Sequence, residues 1–204
     1  MAVSLHNMAD KNTFPEREPF TPQEWKKEIH DQKTKVVWFT GLSGAGKTTL
    51  ARGLKKKLQE NGKTSVLLDG DSIRKTLCQD LDYSIPDRTE NIRRAAEVAN
   101  LLCKSGIITI AAFITPTAEM RKMARAIIGE SNLIEVFVNT PLEICEQRDN
   151  KGLYNKARTG ELKNFTGISA SYETPVRPDI NLIYESKSIE ACISEVFHKV
   201  EKLL

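Results

Sequence analysis

Hydrophobic and polar residues follow two recurring patterns along most of this chain. Short apolar runs rich in β-branched residues predict strands, and the longer stretches between them, with apolar residues three and four positions apart, predict helices. The predicted strands are Val36–Thr40, Thr64–Asp69, Ile107–Phe113, Leu133–Val138 and Ile180–Tyr184. The predicted helices are Lys47–Glu60, Thr89–Lys104, Ala118–Ile128 and Ile189–Leu204, and Pro141–Arg148 is predicted to form the first part of another helix.

This alternation of strands and helices indicates the fold class. Strands that are apolar throughout are typical of a parallel sheet covered on both faces. A regular order of strand and helix favours right-handed β-α-β units. The pattern therefore predicts an α/β domain with a five-stranded parallel sheet flanked by helices, over residues 34–204.

Two segments depart from the pattern. Residues 1–33 contain Pro15, Pro19 and Pro22 and many charges, and we interpret them as an arm that is partly disordered or packed loosely on the main domain. Asp149–Pro178 is long, polar and rich in lysine and arginine. Long segments of this kind in compact domains are usually lids or binding loops.

Composition and charge exclude several classes of function. The 204 residues carry 30 basic and 27 acidic side chains, a net charge of +3, whereas a strongly basic nucleic-acid binder would be more lopsided. No apolar run approaches the ~20 residues of a membrane span, and the N-terminal stretch lacks the apolar segment of a signal peptide. We therefore expect a cytoplasmic protein that binds neither nucleic acid nor a membrane.

The cysteines and histidines exclude further kinds of site. The cysteines are far apart and form no C-x-x-C pair, so we expect small buried thiols in a reducing compartment rather than a zinc site or a disulfide framework. They are Cys78, Cys103, Cys145 and Cys192. The histidines lie near the chain ends, which argues against a central histidine base and against a Ser-His-Asp triad.

Residues 41–48, GLSGAGKT, match the phosphate-binding pattern G-x-x-x-x-G-K-[ST] between a predicted strand and a predicted helix. The glycines let backbone N–H groups surround phosphate oxygens, and the helix N-terminus adds partial positive charge. Lys47 can reach the β- and γ-phosphates, and the Thr48 hydroxyl can bind Mg²⁺. This P-loop predicts nucleoside triphosphate binding but does not separate kinases from GTPases or motor ATPases. The predicted ATP-binding residues are Gly41, Leu42, Ser43, Gly44, Ala45, Gly46, Lys47, Thr48 and Thr49.

Asp69-Gly70-Asp71 favours a kinase. It ends the second predicted strand, and open α/β sheets bind ligands at the carboxyl ends of their strands. One carboxylate near a metal and one near an acceptor hydroxyl suit phosphoryl transfer to an alcohol. The alternative is an Asp-Gly turn in which Asp71 caps a helix. A GTPase would carry an N-K-x-D motif, which this sequence lacks.

Basic residues gather at strand ends and helix starts, namely Arg74, Arg88, Arg121 and the cluster in 149–178. Arg88 and Asn91 are three residues apart at a helix start and point the same way, which suits a phosphate- or sulfate-bearing second substrate. Ordinary surface charge is the alternative. Tyr83 and Phe165 lie in loops, where each can stack on a purine or belong to the core.

Together these residues resemble the adenylylsulfate kinase (APS kinase) family, from about Lys33 to Leu204. The P-loop is shared by many families, whereas the run from Arg148 to Ile168 is highly specific. The motifs that carry the resemblance are GLSGAGKTT at Gly41–Thr49, LDGD at Leu68–Asp71, DRTENIRR at Asp87–Arg94, PLEICEQRDNKGLY at Pro141–Tyr154 and KARTGELKNFTGI at Lys156–Ile168.

The resemblance implies a P-loop kinase with strand order 2-3-1-4-5 and a lid at about Asp149–Gly167. The implied reaction is ATP-dependent phosphorylation of the 3′-hydroxyl of adenylyl sulfate (APS), giving 3′-phosphoadenylyl sulfate (PAPS) and ADP in sulfate assimilation. ATP is then the co-substrate and Mg²⁺ the cofactor. The resemblance also implies a homodimer and functional coupling to an ATP sulfurylase.

The resemblance assigns roles to residues at matching positions. Lys47, Asp69 and Asp71 would be catalytic, with Thr48 and Asp69 on the metal, directly or through water. Arg148 would lie against the adenine of ATP. The acceptor-binding residues would be Asp71, Ser72, Arg74, Tyr83, Arg88, Asn91, Ile114, Thr115, Lys151, Asn164 and Phe165.

Some positions depart from the family pattern around the acceptor. Ser72 replaces an asparagine, Thr76 replaces a glycine, and Thr117 replaces a tyrosine. Thr115 replaces a serine that has been proposed to carry a phosphoryl group in some members, so it is a candidate phospho-acceptor position. We expect Thr115 not to be an obligatory carrier, because in-line transfer needs no covalent intermediate. Two alternatives stay open, a P-loop kinase for a related acidic nucleotide and a non-catalytic nucleotide-binding module.

Overall fold

A computed structural model of the protein describes residues 32–149, 151–183 and 187–204. The strands in these ranges are β1 (Val36–Thr40), β2 (Ser65–Asp69), β3 (Ile108–Ala112), β4 (Leu133–Asn139) and β5 (Ile180–Ile183). All pairings are parallel, and the order β2-β3-β1-β4-β5 confirms the predicted topology. The helices are α1 (Lys47–Glu60), α2 (Gly70–Arg74), α3 (Ile85–Lys104), α4 (Ala118–Ile128), α5 (Leu142–Arg148), α6 (Leu153–Arg158) and α7 (Ile189–Leu203).

The predicted elements are present with small shifts at their ends. Helix α3 begins one turn earlier than predicted because the Ser84 side chain accepts a hydrogen bond from the Asp87 N–H and caps it. Pro86 fits this first turn because its missing N–H would have no helical partner there. The short helices α2 and α6 were not predicted. The predicted end of the last strand, Tyr184, and residues 1–31 of the N-terminal arm lie outside the described residues.

The central strands β1, β3 and β4 are buried on both faces, as the continuous apolar runs predict, whereas the edge strands β2 and β5 are partly exposed. Along β1, Val37 and Phe39 belong to the core shared with α1 and α7, whereas Val36 and Trp38 belong to the core shared with α3 and α4. Side chains of a strand alternate between the two faces of the sheet, so one strand contributes to both cores. The predicted apolar face of α3 is confirmed, and its alanines let the helix lie close to the sheet.

The four cysteines are buried and unpaired, which confirms the prediction of small buried thiols. Within the ranges that the structure describes, no helix has the length and apolar character needed to cross a bilayer.

The carboxyl ends of β1, β2 and β3 meet at one edge of the sheet and place three loops side by side. These are the P-loop, the Asp69-Gly70-Asp71 segment, and residues 113–116 after β3. Gly41 begins the P-loop with φ 145°, and a Cβ at this position would lie 2.7 Å from the Val138 carbonyl oxygen. The first turn of the P-loop therefore requires glycine.

Candidate active site

A cavity of about 420 Å³ opens at this edge of the sheet. Its walls come from the P-loop, the ends of β2 and β3, the start of α3, Asp149 and residues within 151–166, so the predicted phosphate and acceptor residues share one space. The predicted site residues that line it are Ser43, Gly44, Gly46, Lys47, Thr48, Thr49, Asp69, Asp71, Arg74, Tyr83, Arg88, Asn91, Ile114, Thr115, Lys151 and Phe165. Gly41, Leu42, Ala45, Ser72, Arg148 and Asn164 are not part of its lining.

Lys47 is the buried cation of the P-loop. Its Nζ donates to the carbonyl oxygens of Gly41 (2.9 Å) and Leu42 (2.7 Å), which holds the side chain folded back over the loop. Burial lowers the pKa of Lys47 to about 8, and Cys145 and the nearby carboxylates of Asp71 and Asp69 offset part of this effect. No side chain caps the first turn of α1 among the described residues, so its N–H groups remain available to a phosphate.

Thr48 and Asp69 form a pair beside Lys47. The Thr48 hydroxyl donates to Asp69 Oδ2 over 2.8 Å, and Asp69 Oδ1 accepts from the Asp71 N–H over 3.1 Å. Asp69 therefore caps α2, and the alternative that Asp71 acts as the cap is wrong. The two side chains bring hydroxyl and carboxylate oxygens together, which are ligand types that Mg²⁺ prefers.

Because Asp69 caps α2, the Asp71 side chain is available for other contacts, and it contacts the segment 149–166. Its carboxylate forms an exposed ion pair with the ammonium group of Lys151. Arg74, one turn later on α2, lies over the ring of Tyr83 with its guanidinium 4.4 Å from the ring centre. Tyr83 is 54% exposed, so in this structure the ring is a partner of Arg74 at the cavity wall rather than a core residue.

Arg88 links the start of α3 to the segment 149–166. It donates to the Tyr83 carbonyl (2.8 Å), to the Thr166 hydroxyl (2.6 Å) and to the Asn164 carbonyl. Burial and the neighbouring Arg74 lower the pKa of Arg88. A half-buried guanidinium that borders the cavity suits an anion, because it forms charge-assisted hydrogen bonds in a planar, two-pronged geometry.

Asn91 lies one turn beyond Arg88 and borders the same cavity. It is 3% exposed, and its Nδ2 has no hydrogen-bond partner among the described residues. An unpaired buried amide is costly in a folded protein. Its N–H groups are therefore available to an acceptor atom of a ligand in the cavity.

Phe165 is buried rather than free in a loop. It is 8% exposed, belongs to the core on the α1 side of the sheet, and packs edge-on against Tyr154, with ring centres 4.9 Å apart. It also lines the cavity, so packing and ligand contact are compatible in this position.

Tyr154, which was not among the residues predicted from the sequence, donates its hydroxyl to the Ser43 carbonyl over 2.9 Å. Tyr154 is the last residue of the family-specific motif PLEICEQRDNKGLY, and this position in the motif could have identified it as a site residue.

Three further predicted residues have structural contacts outside the cavity. Arg148 donates from Nη1 to the carbonyl oxygens of Gly44 (3.3 Å) and Ala45 (3.5 Å) in the P-loop. Ser72 is exposed, and its carbonyl accepts from the Thr76 hydroxyl. Asn164 adopts a left-handed backbone with φ 56°.

The segment that follows β3 brings one correction. Arg121, expected among the anion-binding arginines, lies behind the cavity and pairs with the buried Glu135 at 3.5 Å. Thr117, which stands where the family pattern has a tyrosine, caps α4 by accepting from the Met120 N–H. Thr115 lines the cavity wall with φ 45°, and its hydroxyl oxygen accepts from the indole N–H of Trp38 over 2.9 Å.

The cavity thus has two chemically distinct parts. One part holds a buried ammonium, a helix N-terminus and a hydroxyl–carboxylate pair, which suit a polyphosphate and a divalent cation. The other holds an exposed carboxylate, two arginines and an unpaired amide, which suit a hydroxyl-bearing anion. This arrangement can place a phosphoryl donor against an alcohol acceptor.

Comparisons with known proteins agree with this geometry. A family model described as adenylylsulphate kinase matches residues 33–183. An adenylyl-sulfate kinase from Escherichia coli O6:K15:H31 is 51% identical over 180 residues, covering 88% of this chain and 88% of that protein. An APS kinase from Mycobacterium tuberculosis, solved in complex with AMPPNP and APS, has a TM-score of 0.80 and 44% identity over 83% of this chain and 98% of that chain. A hexameric APS kinase from Thiobacillus denitrificans has a TM-score of 0.63 and 30% identity over 84% of this chain and 29% of that chain. The range matched by the family model includes every residue that lines the cavity.

Proposed function

The chain belongs to the adenylyl-sulfate kinase family, and on that premise we propose that it transfers the γ-phosphoryl group of ATP to the 3′-hydroxyl of APS, giving PAPS and ADP. The observation that carries the assignment for this chain is its shared cavity. One space is lined by the P-loop lysine and by the set Asp71, Arg74, Arg88 and Asn91. A family relative solved with both AMPPNP and APS supports the choice of these two substrates.

On the donor side, Lys47 and the N-terminus of α1 bind the phosphates of ATP. The ammonium group exchanges its contacts with the P-loop carbonyls for the β- and γ-phosphate oxygens, which restores full charge to a lysine whose pKa burial has lowered. During the reaction, negative charge moves toward the bridging oxygen of ATP. A lysine ammonium group that neutralises this charge stabilises the transition state more than the ground state.

Magnesium fits the pair formed by Thr48 and Asp69, whose oxygens would hold it directly or through water. Among the described residues, no group of three or more His, Cys, Asp and Glu side chains could hold a metal ion. A site with one or two protein oxygens is typical of Mg²⁺ bound with substrate phosphates. The ion supplies charge neutralisation on the phosphates.

On the acceptor side, Asp71 would receive the proton of the 3′-hydroxyl. Its carboxylate is exposed at the cavity, and its backbone N–H is held by Asp69, so its position is tied to the metal side of the site. Arg74, Arg88 and Asn91 would bind the phosphosulfate group, and Lys151 would approach it from residues 149–167. Phe165 and Tyr83, which both line the cavity, would contact the adenine of APS.

Turnover with a panel of acceptors tests this proposal. ADP release is measured with ATP and Mg²⁺ in the presence of APS, AMP or GMP, and PAPS is identified as the product. We expect turnover with APS and little with the other nucleotides. Faster turnover with another nucleotide would favour the kinase for a related acidic nucleotide, and ATP binding without consumption in every case would favour the non-catalytic module.

A matched pair of arginine variants tests the acceptor assignment. Arg88→Ala should raise the KM for APS at least about tenfold, because a charge-assisted hydrogen bond contributes more than a neutral one, and should leave the KM for ATP almost unchanged. Arg93 lies on the same helix but pairs with Glu90 and Glu97 at the surface, so Arg93→Ala is the control. An equal effect of both variants would contradict the assignment.

We also propose that residues 149–167 act as a lid. The contacts of Lys151 with Asp71 and of Arg88 with Thr166 support this role, because they join the segment to the acceptor side of the cavity. Hydrogen exchange in the presence of ADP and APS should slow across the segment. Equal exchange with and without ligands would contradict a lid.

Three further features of the protein are proposals. We propose a homodimer, for which the hexameric relative offers support because it shows self-association in the family, and a light-scattering mass of twice 22.9 kDa would agree. We propose a cytoplasmic location, which the unpaired cysteines support. Functional coupling to an ATP sulfurylase follows from the chemistry, because an enzyme that makes adenylyl sulfate must supply the acceptor.

A further inference from the structure

Thr115 has an unusual backbone conformation at the cavity wall. Its φ of 45° lies in the left-handed region, which is strongly disfavoured for a β-branched residue. Among the described residues, Thr115 and Asn164 are the non-glycine residues with φ in the left-handed region. Such a conformation persists where the surrounding structure holds it, and it often occurs at functional sites.

Trp38 holds the Thr115 side chain. The indole Nε1–H donates to Thr115 Oγ1 over 2.9 Å, and the two residues are 2% and 1% exposed. The indole is stacked on Phe113, with ring centres 5.2 Å apart, so the direction of its N–H is set by core packing. Because an indole has one donor and burial without a partner is costly, this hydrogen bond couples β1 to the loop after β3.

The backbone of the same loop is held from two more directions. The Thr115 carbonyl accepts from Arg121 Nη1 over 3.1 Å, and Arg121 is in turn paired with the buried Glu135. The Ile114 carbonyl accepts from the Thr40 hydroxyl over 2.7 Å. These bonds hold the peptide groups before and after Thr115, while the bond from Trp38 holds its side chain.

We propose that Trp38 is a positioning residue for the acceptor, because it holds Thr115 in the left-handed conformation that shapes the Ile114–Thr115 wall of the cavity. This inference rests on the proposed function, since that wall is on the acceptor side. The Thr115 hydroxyl oxygen then serves as a structural hydrogen-bond acceptor inside the core. Trp38 does not line the cavity, so it acts on the acceptor through Thr115.

A double-mutant cycle between the two positions tests the proposal. Trp38→Phe removes the indole N–H and keeps an aromatic ring, and it should raise the KM for APS about tenfold, with the KM for ATP changed less than about twofold. Thr115→Gly removes the oxygen and adopts positive φ without strain. In the Thr115→Gly background, Trp38→Phe should therefore change the KM for APS less than about twofold, because there is no side chain left to hold.

A second variant keeps the test decisive if Trp38→Phe does not fold. Thr115→Val preserves the β-branched shape and removes the oxygen, so it should reproduce the rise in the KM for APS while Trp38 is intact. Thr109→Val is the matched control, because Thr109 is a fully buried threonine of β3 outside the cavity. It should lower the melting temperature without changing the KM for either substrate.

Three results would overturn the proposal. Trp38→Phe could raise the KM for APS equally in both backgrounds, which would indicate a packing defect. The KM values for APS and ATP could rise together. Thr115→Gly could bind both substrates but lose turnover by several orders of magnitude, as a covalent phosphoryl carrier would. A wild-type protein that does not phosphorylate APS would instead refute the proposed function, and the same cycle, measured as melting temperatures, would still decide whether Trp38 and Thr115 are coupled.

Discussion

Raising the pH should inactivate the enzyme by removing the charge of Lys47 before ATP binds. This loss should occur at a lower pH than it would for a lysine of ordinary pKa. Burial lowers the pKa of this ammonium from 10.5 to about 8. The charged form binds phosphate, so activity that depends on Lys47 is present below this pKa and is lost as the pH rises through it. Burial raises the pKa of the neighbouring Cys145 thiol and of the Tyr154 hydroxyl.

The size of the effect follows from the shifted pKa of Lys47. With a pKa of about 8, roughly nine-tenths of the free protein is charged at this lysine at about pH 7 and roughly one-tenth at about pH 9. The kcat/KM for ATP, which reports the enzyme before ATP binds, should fall about tenfold between these values. Bound phosphates favour the charged form, so kcat should fall at a higher pH than kcat/KM does.

Initial rates of ADP release across roughly pH 6.5 to 10, at saturating APS and constant ionic strength, measure this profile. Lys47→Arg is the informative variant because its guanidinium stays charged, so the alkaline decline should disappear even if the rate is lower throughout. Lys47→Ala should reduce kcat at least ~100-fold at every pH. Lys56, an exposed lysine on the same helix, provides the control, and Lys56→Ala should retain the wild-type profile.

Two outcomes would refute the reasoning about Lys47. A wild-type kcat/KM that stays level up to about pH 10 would show that burial does not lower its pKa as far as about 8. An alkaline decline of the same midpoint in Lys47→Arg would assign the titration to another group.

Three further substitutions separate the parts of the site. Phe165→Ala should lower the free energy of unfolding by about 3–5 kcal/mol, as for other buried phenylalanines, and should weaken APS binding more than ATP binding. Phe165→Leu should recover much of the stability but less of the APS affinity. Equal losses of affinity for both ligands would show that Phe165 has a packing role and does not contact APS. Asp69→Asn should raise the Mg²⁺ concentration for half-maximal rate about tenfold, because the oxygen beside the Thr48 hydroxyl loses its charge; an unchanged Mg²⁺ titration would exclude Asp69 from the metal site. Lys151→Met should raise the KM for APS and reduce its dependence on salt, because the cation beside Asp71 is lost; a parallel change in the KM for ATP would place Lys151 on the donor side instead.

The strands, the main helices and the P-loop could be predicted because their signals are local. An apolar run such as Val36–Thr40 and the three-and-four spacing along α3 reflect which side chains a regular backbone can bury together. The P-loop needs eight adjacent residues and a strand-helix context, and both are present in one short stretch. The helices α2 and α6 escaped prediction because five or six residues cannot form a stable helix without contacts from elsewhere in the fold.

The acceptor side of the site could be predicted in composition but not in arrangement. The sequence identified Arg88, Asn91 and Phe165 as candidates, and it left open whether Phe165 belonged to the core. It could not indicate that Asp69 rather than Asp71 caps α2, or that Arg121 faces Glu135 behind the cavity. These choices depend on which neighbour each polar group meets, and several neighbours compete for each group.

The sequence by itself determined the order of elements, the phosphate-binding loop and the family. The tertiary structure decided the lowered pKa of Lys47 and the contact of Trp38 with Thr115 across 77 residues of chain. Periodicity and short motifs depend on residues within a few positions of each other, whereas burial and hydrogen-bond partners depend on which distant segments the fold brings together. A lysine loses water, and a threonine hydroxyl gains an indole partner, only after the sheet and its helices have packed around them.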